Sequence, residues 1–186
     1  MTGFESECDV LLATLRNGDW SAVETAIRGV EDSNKWPCAM QKLPQIGALP
    51  KERLQQLHKY WHTRGHKIRE QVSNDSAILR ALPALLPTYE GPGMTLYRGE
   101  NLDRWLTGRI GFAWTPLRSV AEMFARGLQA VKSGGVLLST TVSPQAIIAG
   151  PSEHSERWLG EHEYTVDTHY QLDIQELGRY SIPVPR

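Results

Sequence analysis

The chain has 186 residues, 40% of them hydrophobic and 22% charged. That is enough for one medium domain, or one domain with a helical extension. With 20 lysines and arginines against 21 aspartates and glutamates, the net charge is −1. No basic footprint for nucleic acid results. The two cysteines, Cys8 and Cys38, form neither a CxxC pair nor a metal-ligand spacing, which excludes a secreted-type disulfide framework. The N-terminus is acidic and lacks an apolar stretch, so no signal peptide is expected. Apolar runs such as Ala81–Leu86 are broken by proline and too short for a bilayer. The expectation is a cytoplasmic protein with no membrane or nucleic-acid partner.

The first half reads as helical. Phe4, Val10, Leu11, Leu12 and Leu15 share a loose helical face that ends at Asn17-Gly18. Asp19 suits the N-cap of a second helix through Val23, Ala26, Ile27 and Val30. Residues 32–50, with Pro37, Pro44, Gly47 and Pro50, read as a loop carrying at most a short turn. Pro50 fits the first turn of a long helix marked by Leu54, Leu57, Trp61, Ile68 and Val72. Another helix starts at Asp75 and runs through Leu85, with Pro83 as a kink or an end. Turn chemistry at 88–93 marks the boundary between a helical region, 1–90, and a second region, 91–186.

The period then changes. Residues 94–98, 110–115, 136–142, 146–149, 164–166 and 170–174 read as short strands. One amphipathic helix is expected from about Leu117 to Val131, capped by Thr115 with Pro116 in its first turn. Its face is Ala121, Phe124 and Leu128. Residues 152–160 read as a polar loop carrying Trp158. The fold class is therefore α+β: a helical N-terminal half, then a mostly β half with one or two helices.

Four short signals occur in order: Tyr97-Arg98-Gly99, Phe112-Ala113-Trp114-Thr115, Ala121-Glu122-Met123-Phe124-Ala125, and Glu161-His162-Glu163 leading into Tyr164-Thr165-Val166. From about Met94 to Ile174 the chain resembles the catalytic core of mono-ADP-ribosyltransferases of the Arg–Ser–Glu type, found in bacterial toxins and phage effectors. The resemblance implies a mixed β-sheet core that takes NAD as substrate, with no metal, and a protein target. It implies an NAD site formed by Tyr97, Arg98, Gly99, Trp114, Thr115 and Phe124.

Within that resemblance Arg98 binds the diphosphate, since a guanidinium offers a fork of donors. Gly99 lets the ligand approach the backbone. Thr115 stands for the family threonine, while Trp114 and Pro116 occupy the places of its flanking serines. Trp114 or Phe112 forms an apolar wall for nicotinamide or sits in the core, and for Phe112 the core is the favoured reading. Glu163 stabilises the oxocarbenium-like transition state, and Glu161 serves the acceptor, often an arginine. An extended segment would put both glutamates on one face. Trp158, in the loop that contacts the target in the family, either anchors a partner or folds back on its own loop.

His58, His62 and His66 recur at i, i+4, i+8 on the long helix. A polar helix face is favoured there over a metal site. The resemblance implies an NAD-dependent mono-ADP-ribosyltransferase, with an NAD glycohydrolase of the same fold or a non-catalytic binding or inhibitor protein on that scaffold as the alternatives.

Overall fold

The computed structural model describes residues 6–127 and 129–182. Phe4 and Leu128 lie outside the described residues. The architecture is mixed α+β. The chain divides into two compact units, Met1–Pro87 and Thr88–Arg186. Among the described residues, no helix is long and apolar enough to cross a membrane.

The first unit is helical. Helix α1 (Glu7–Asn17) is capped by Ser6 and buries Cys8, Leu11 and Leu15. Helix α2 (Trp20–Asp32) starts at Asp19, whose carboxylate accepts from the Ala22 N–H at 2.8 Å. Residues expected to form a loop contain helix α3 (Trp36–Lys42) and a 3-10 turn, Leu43–Gln45. Their prolines fall in first turns, where a missing N–H removes no helical bond. Trp36, Met40 and Leu43 are thereby buried.

Helix α4 (Lys51–Val72) has Pro50 as its N-cap and runs unbroken through Gly65. A Cβ at Gly65 would lie 3.0 Å from the Trp61 ring, so glycine there makes room for the indole. The histidine series does not share one environment: His58 is buried and His66 exposed. Helix α5 (Asp75–Leu85) is capped by Asn74 and ends two residues after Pro83. Arg53 of α4 donates to the Leu15 and Gly18 carbonyls at 2.8 and 2.6 Å. These acceptors lie at the end of α1, where helical carbonyls lack partners of their own.

The second unit holds two three-stranded antiparallel sheets. Strand β1 (Met94–Asn101) outruns its expected span, and a short helix α6 (Leu102–Leu106) follows it at once. The Asn101 side chain caps that helix through the Asp103 and Arg104 N–H groups. Strand β2 is only Ala113–Trp114. Helix α7 (Arg118–Arg126) ends at Gly127, well short of Val131. Then come β3 (Gly135–Val142), β4 (Ile147–Ala149), β5 (Tyr164–Val166) and β6 (Gln175–Tyr180).

One sheet has the order β1-β3-β6 and the other β2-β5-β4. Leu96, Val136, Leu138 and Val142 of the first meet Trp114, Ile147 and Val166 of the second in one apolar core. The opposite face of the first sheet carries α7, through Ala121, Ala125 and Leu137. The strand expected at 170–174 is absent. Leu172 and Ile174 pack on the core without pairing, and the strand forms at 175–180, where β3 offers its second edge.

Candidate functional site

Alternation along β1 sends Leu96, Arg98 and Glu100 to the core side, and Tyr97 and Gly99 to the α7 side. A Cβ on Gly99 would collide with the Ala121 carbonyl, the Ala125 N–H and Phe124 Cβ. Gly99 therefore serves close helix–sheet packing, and the ligand approach expected there is taken up by α7. Tyr97 and Phe124 are half-buried in the same layer.

Arg98 is engaged inside the fold. Its Nε donates to Glu100 Oε2 at 2.8 Å and its Nη1 to the Ala113 carbonyl at 2.5 Å. Only 11% of its side chain is exposed. Glycine at 111 leaves the space that the guanidinium fills. The expected diphosphate fork is thus partly committed to protein acceptors.

Glu100, a residue the sequence reading passed over, is the centre of this network. Its side chain is fully buried. It accepts from Arg98, from the Asn101 N–H at 2.9 Å and from the Gly111 N–H at 2.8 Å, with Arg104 Nε 3.7 Å away. Burial pushes its pKa up, but the charges of Arg98 and Arg104 and the hydrogen bonds outweigh this and hold it below the ordinary value. Its signal in the sequence is the i, i+2 spacing from Arg98, which on a strand puts acid and base on one face.

Strand β2 links the motifs laterally. Tyr97 and Thr115 form an antiparallel bridge, with N–H to carbonyl distances of 2.7 and 2.9 Å. Trp114 pairs with Tyr164 and Ala113 with Thr165. Strand β1, which bears Arg98, is therefore linked through the bridge at Thr115 and strand β2 to β5, which Glu163 immediately precedes. The Thr115 hydroxyl accepts from the Leu117 N–H at 3.1 Å, so it braces the turn into α7 while Leu117 holds the cap position. Trp114 is 1% exposed and its indole donates to the Gly111 carbonyl at 3.1 Å. Its ring is core, as is Phe112 at 5%; the nicotinamide wall expected at Trp114 does not form there.

Glu161 and Glu163 precede β5, but not on an extended segment. Gly160 and His162 both have left-handed backbone, with φ of 64° and 47°. The expected strand-like sharing of one face is therefore replaced by a kink. A carboxylate oxygen of each glutamate still lies within 4.8 Å of the other's. What organises them is Ser155, fully buried in a π-helical turn, His154–Leu159. Its carbonyl accepts from the Glu161 N–H at 3.0 Å, and its hydroxyl accepts from the Glu163 N–H at 2.7 Å. The Ser152 hydroxyl in turn accepts from the Ser155 N–H at 3.1 Å. No sequence signal distinguishes Ser155, since both bonds depend on loop conformation.

Trp158 is 78% exposed and the adjacent Leu159 48%. Of the two readings of Trp158, the structure has it outward. No family model, curated protein or solved structure matches the chain.

Proposed function

We propose that the second unit is an NAD-dependent mono-ADP-ribosyltransferase core that transfers ADP-ribose to a protein side chain and releases nicotinamide. The observation that supports this reading is lateral: β1, with Arg98, bridges at Tyr97 to Thr115 beside β2, and β2 pairs with β5, which the Glu161/Glu163 pair leads into.

In this reading Glu163 hydrogen-bonds the ribose 2′-hydroxyl. As the bond to nicotinamide breaks, positive charge grows on the ribose, and a carboxylate positioned there favours it. Glu161 accepts the proton of the incoming nucleophile or orients it. Arg98, held by Glu100 and the Ala113 carbonyl, presents its remaining donors to the diphosphate. Thr115 supports the wall of the site through the turn it braces. Trp158 contacts the target protein, as an exposed aromatic can. The test is incubation with NAD and candidate target proteins, read by intact-mass spectrometry. An ADP-ribose adduct lost in Glu163→Gln supports the reading, and absence of both adduct and nicotinamide release removes it.

The engagement of Arg98 by Glu100 and Ala113 favours a second reading, a non-catalytic binding protein on the same scaffold. A ligand that binds only the folded state raises the melting temperature. A rise with NAD, with nicotinamide released, favours the enzyme. If water is the acceptor, nicotinamide appears without a target, and Glu161→Gln then leaves that hydrolysis largely intact.

A further inference from the structure

The two cysteines, unremarkable in the sequence, lie on two adjoining helices of the helical unit, α1 and α3. Cys8 lies on α1 with no exposed surface, and its thiol donates to the Lys35 carbonyl at 3.6 Å. Lys35 is the N-cap of α3, and Cys38 lies three residues further on, in the first turn. Cys38 thus lies between the Lys35 carbonyl that Cys8 meets and Lys42, the partner of Asp9, which sets it across the α1–α3 seam from Cys8. Beyond them Asp9 of α1 takes the Lys42 ammonium of α3 at 2.6 Å. Both thiols are reduced, Cys8 buried and Cys38 partly exposed.

We propose that Cys8 and Cys38 form a thiol–disulfide exchange site that fastens α1 to α3, with Cys38 taking up a low-molecular-weight disulfide and Cys8 resolving it. The Cys38 thiolate attacks one sulfur of the small disulfide. The S–S bond breaks and one small thiolate leaves. Cys8 then yields its proton to that thiolate, and its sulfur attacks the Cys38 sulfur of the mixed disulfide, expelling the second small thiolate. Two protein thiols are oxidised and one small disulfide is reduced to two thiols. Burial, and then the hydrogen bond with Cys38, hold the Cys8 thiol above its ordinary pKa, so Cys8 is the slower nucleophile until the mixed disulfide lies against it.

The experiment treats the full chain with oxidised glutathione, blocks remaining thiols by alkylation and reads intact mass. Wild type is expected to lose two hydrogens, resist alkylation and melt several degrees higher, because the new link closes the loop spanning α1 to α3. Cys8→Ser should stop with one glutathione on Cys38, and Cys38→Ser should remain unmodified. Wild type that keeps a glutathione adduct without closing, or stays unmodified, overturns the proposal. So does Cys38→Ser taking up glutathione as fast as Cys8→Ser. If Cys8→Ser loses its far-UV helical signal, wild type and Cys38→Ser decide the matter by the same criteria.

Discussion

Glu100 and Glu163 are both glutamates of the β-rich unit, and the fold holds them by different means. Glu100 is held by its carboxylate, which meets Arg98 and two backbone N–H groups with no exposed surface. At Glu163 the backbone is fixed, since the Ser155 hydroxyl takes its N–H, and the residue is half-buried at the entrance to β5. A carboxylate saturated by fixed donors stabilises a fold but has little capacity for new partners. In the proposed function Glu100 accordingly positions Arg98, while Glu163 is the carboxylate that meets the ribose.

The largest expected effect tests the Glu100 side. Glu100→Gln leaves the Arg98 charge buried without its counter-ion, which costs about 3–5 kcal/mol and should appear as a lowered urea midpoint. The same contact sets a pH dependence. Because the folded pKa is depressed below its ordinary 4.5, the stability Glu100 contributes is present above 4.5 and is lost as pH falls through the folded value. Glu100→Gln should flatten that acid limb of the stability profile. An unchanged limb would break the comparison.

A smaller effect tests the Glu163 side. Ser155→Ala deprives the Glu163 N–H of its acceptor at a buried position, a cost of about 1–3 kcal/mol. If Ser155 positions the glutamate, nicotinamide release should lose kcat with KM little changed, and Ser155→Thr should recover part of it. A purely structural role would lower the melting temperature and leave kcat per folded molecule intact. The smallest effect on stability belongs to Trp158→Ala, within about 0.5 kcal/mol, because the ring is exposed. Transfer to a protein acceptor should nevertheless fall several-fold, while nicotinamide release without a target is unchanged. Equal loss of both would show that the ring acts on the NAD site.

Much of the secondary structure was legible because its signals are local. Asp19 before an apolar helical face, and the short aliphatic and threonine-rich run at 136–142, each depend on neighbours in the chain. Helix α3 was hidden because Pro37 and Pro44 read as loop residues, although a proline in a first turn is compatible with a helix. β6 was displaced from 170–174 because pairing with β3, set by the tertiary fold, decides which stretch becomes a strand, here the polar Gln175–Tyr180. At the site, the sequence pointed to the glutamate pair, but the left-handed His162, the Ser155 anchor and the Glu100 network depend on three-dimensional closure. Trp114 shows the opposite error: an aromatic beside a motif is as readily core as ligand wall.

The most direct measurement is nicotinamide release from NAD by the purified chain, wild type against Glu163→Gln, with Glu100→Gln assayed at a temperature where it remains folded. The account predicts release by wild type and a loss of at least about 100-fold in Glu163→Gln, the scale of removing one transition-state contact. Equal release by wild type and Glu163→Gln, or none by wild type with or without a protein acceptor, would contradict it.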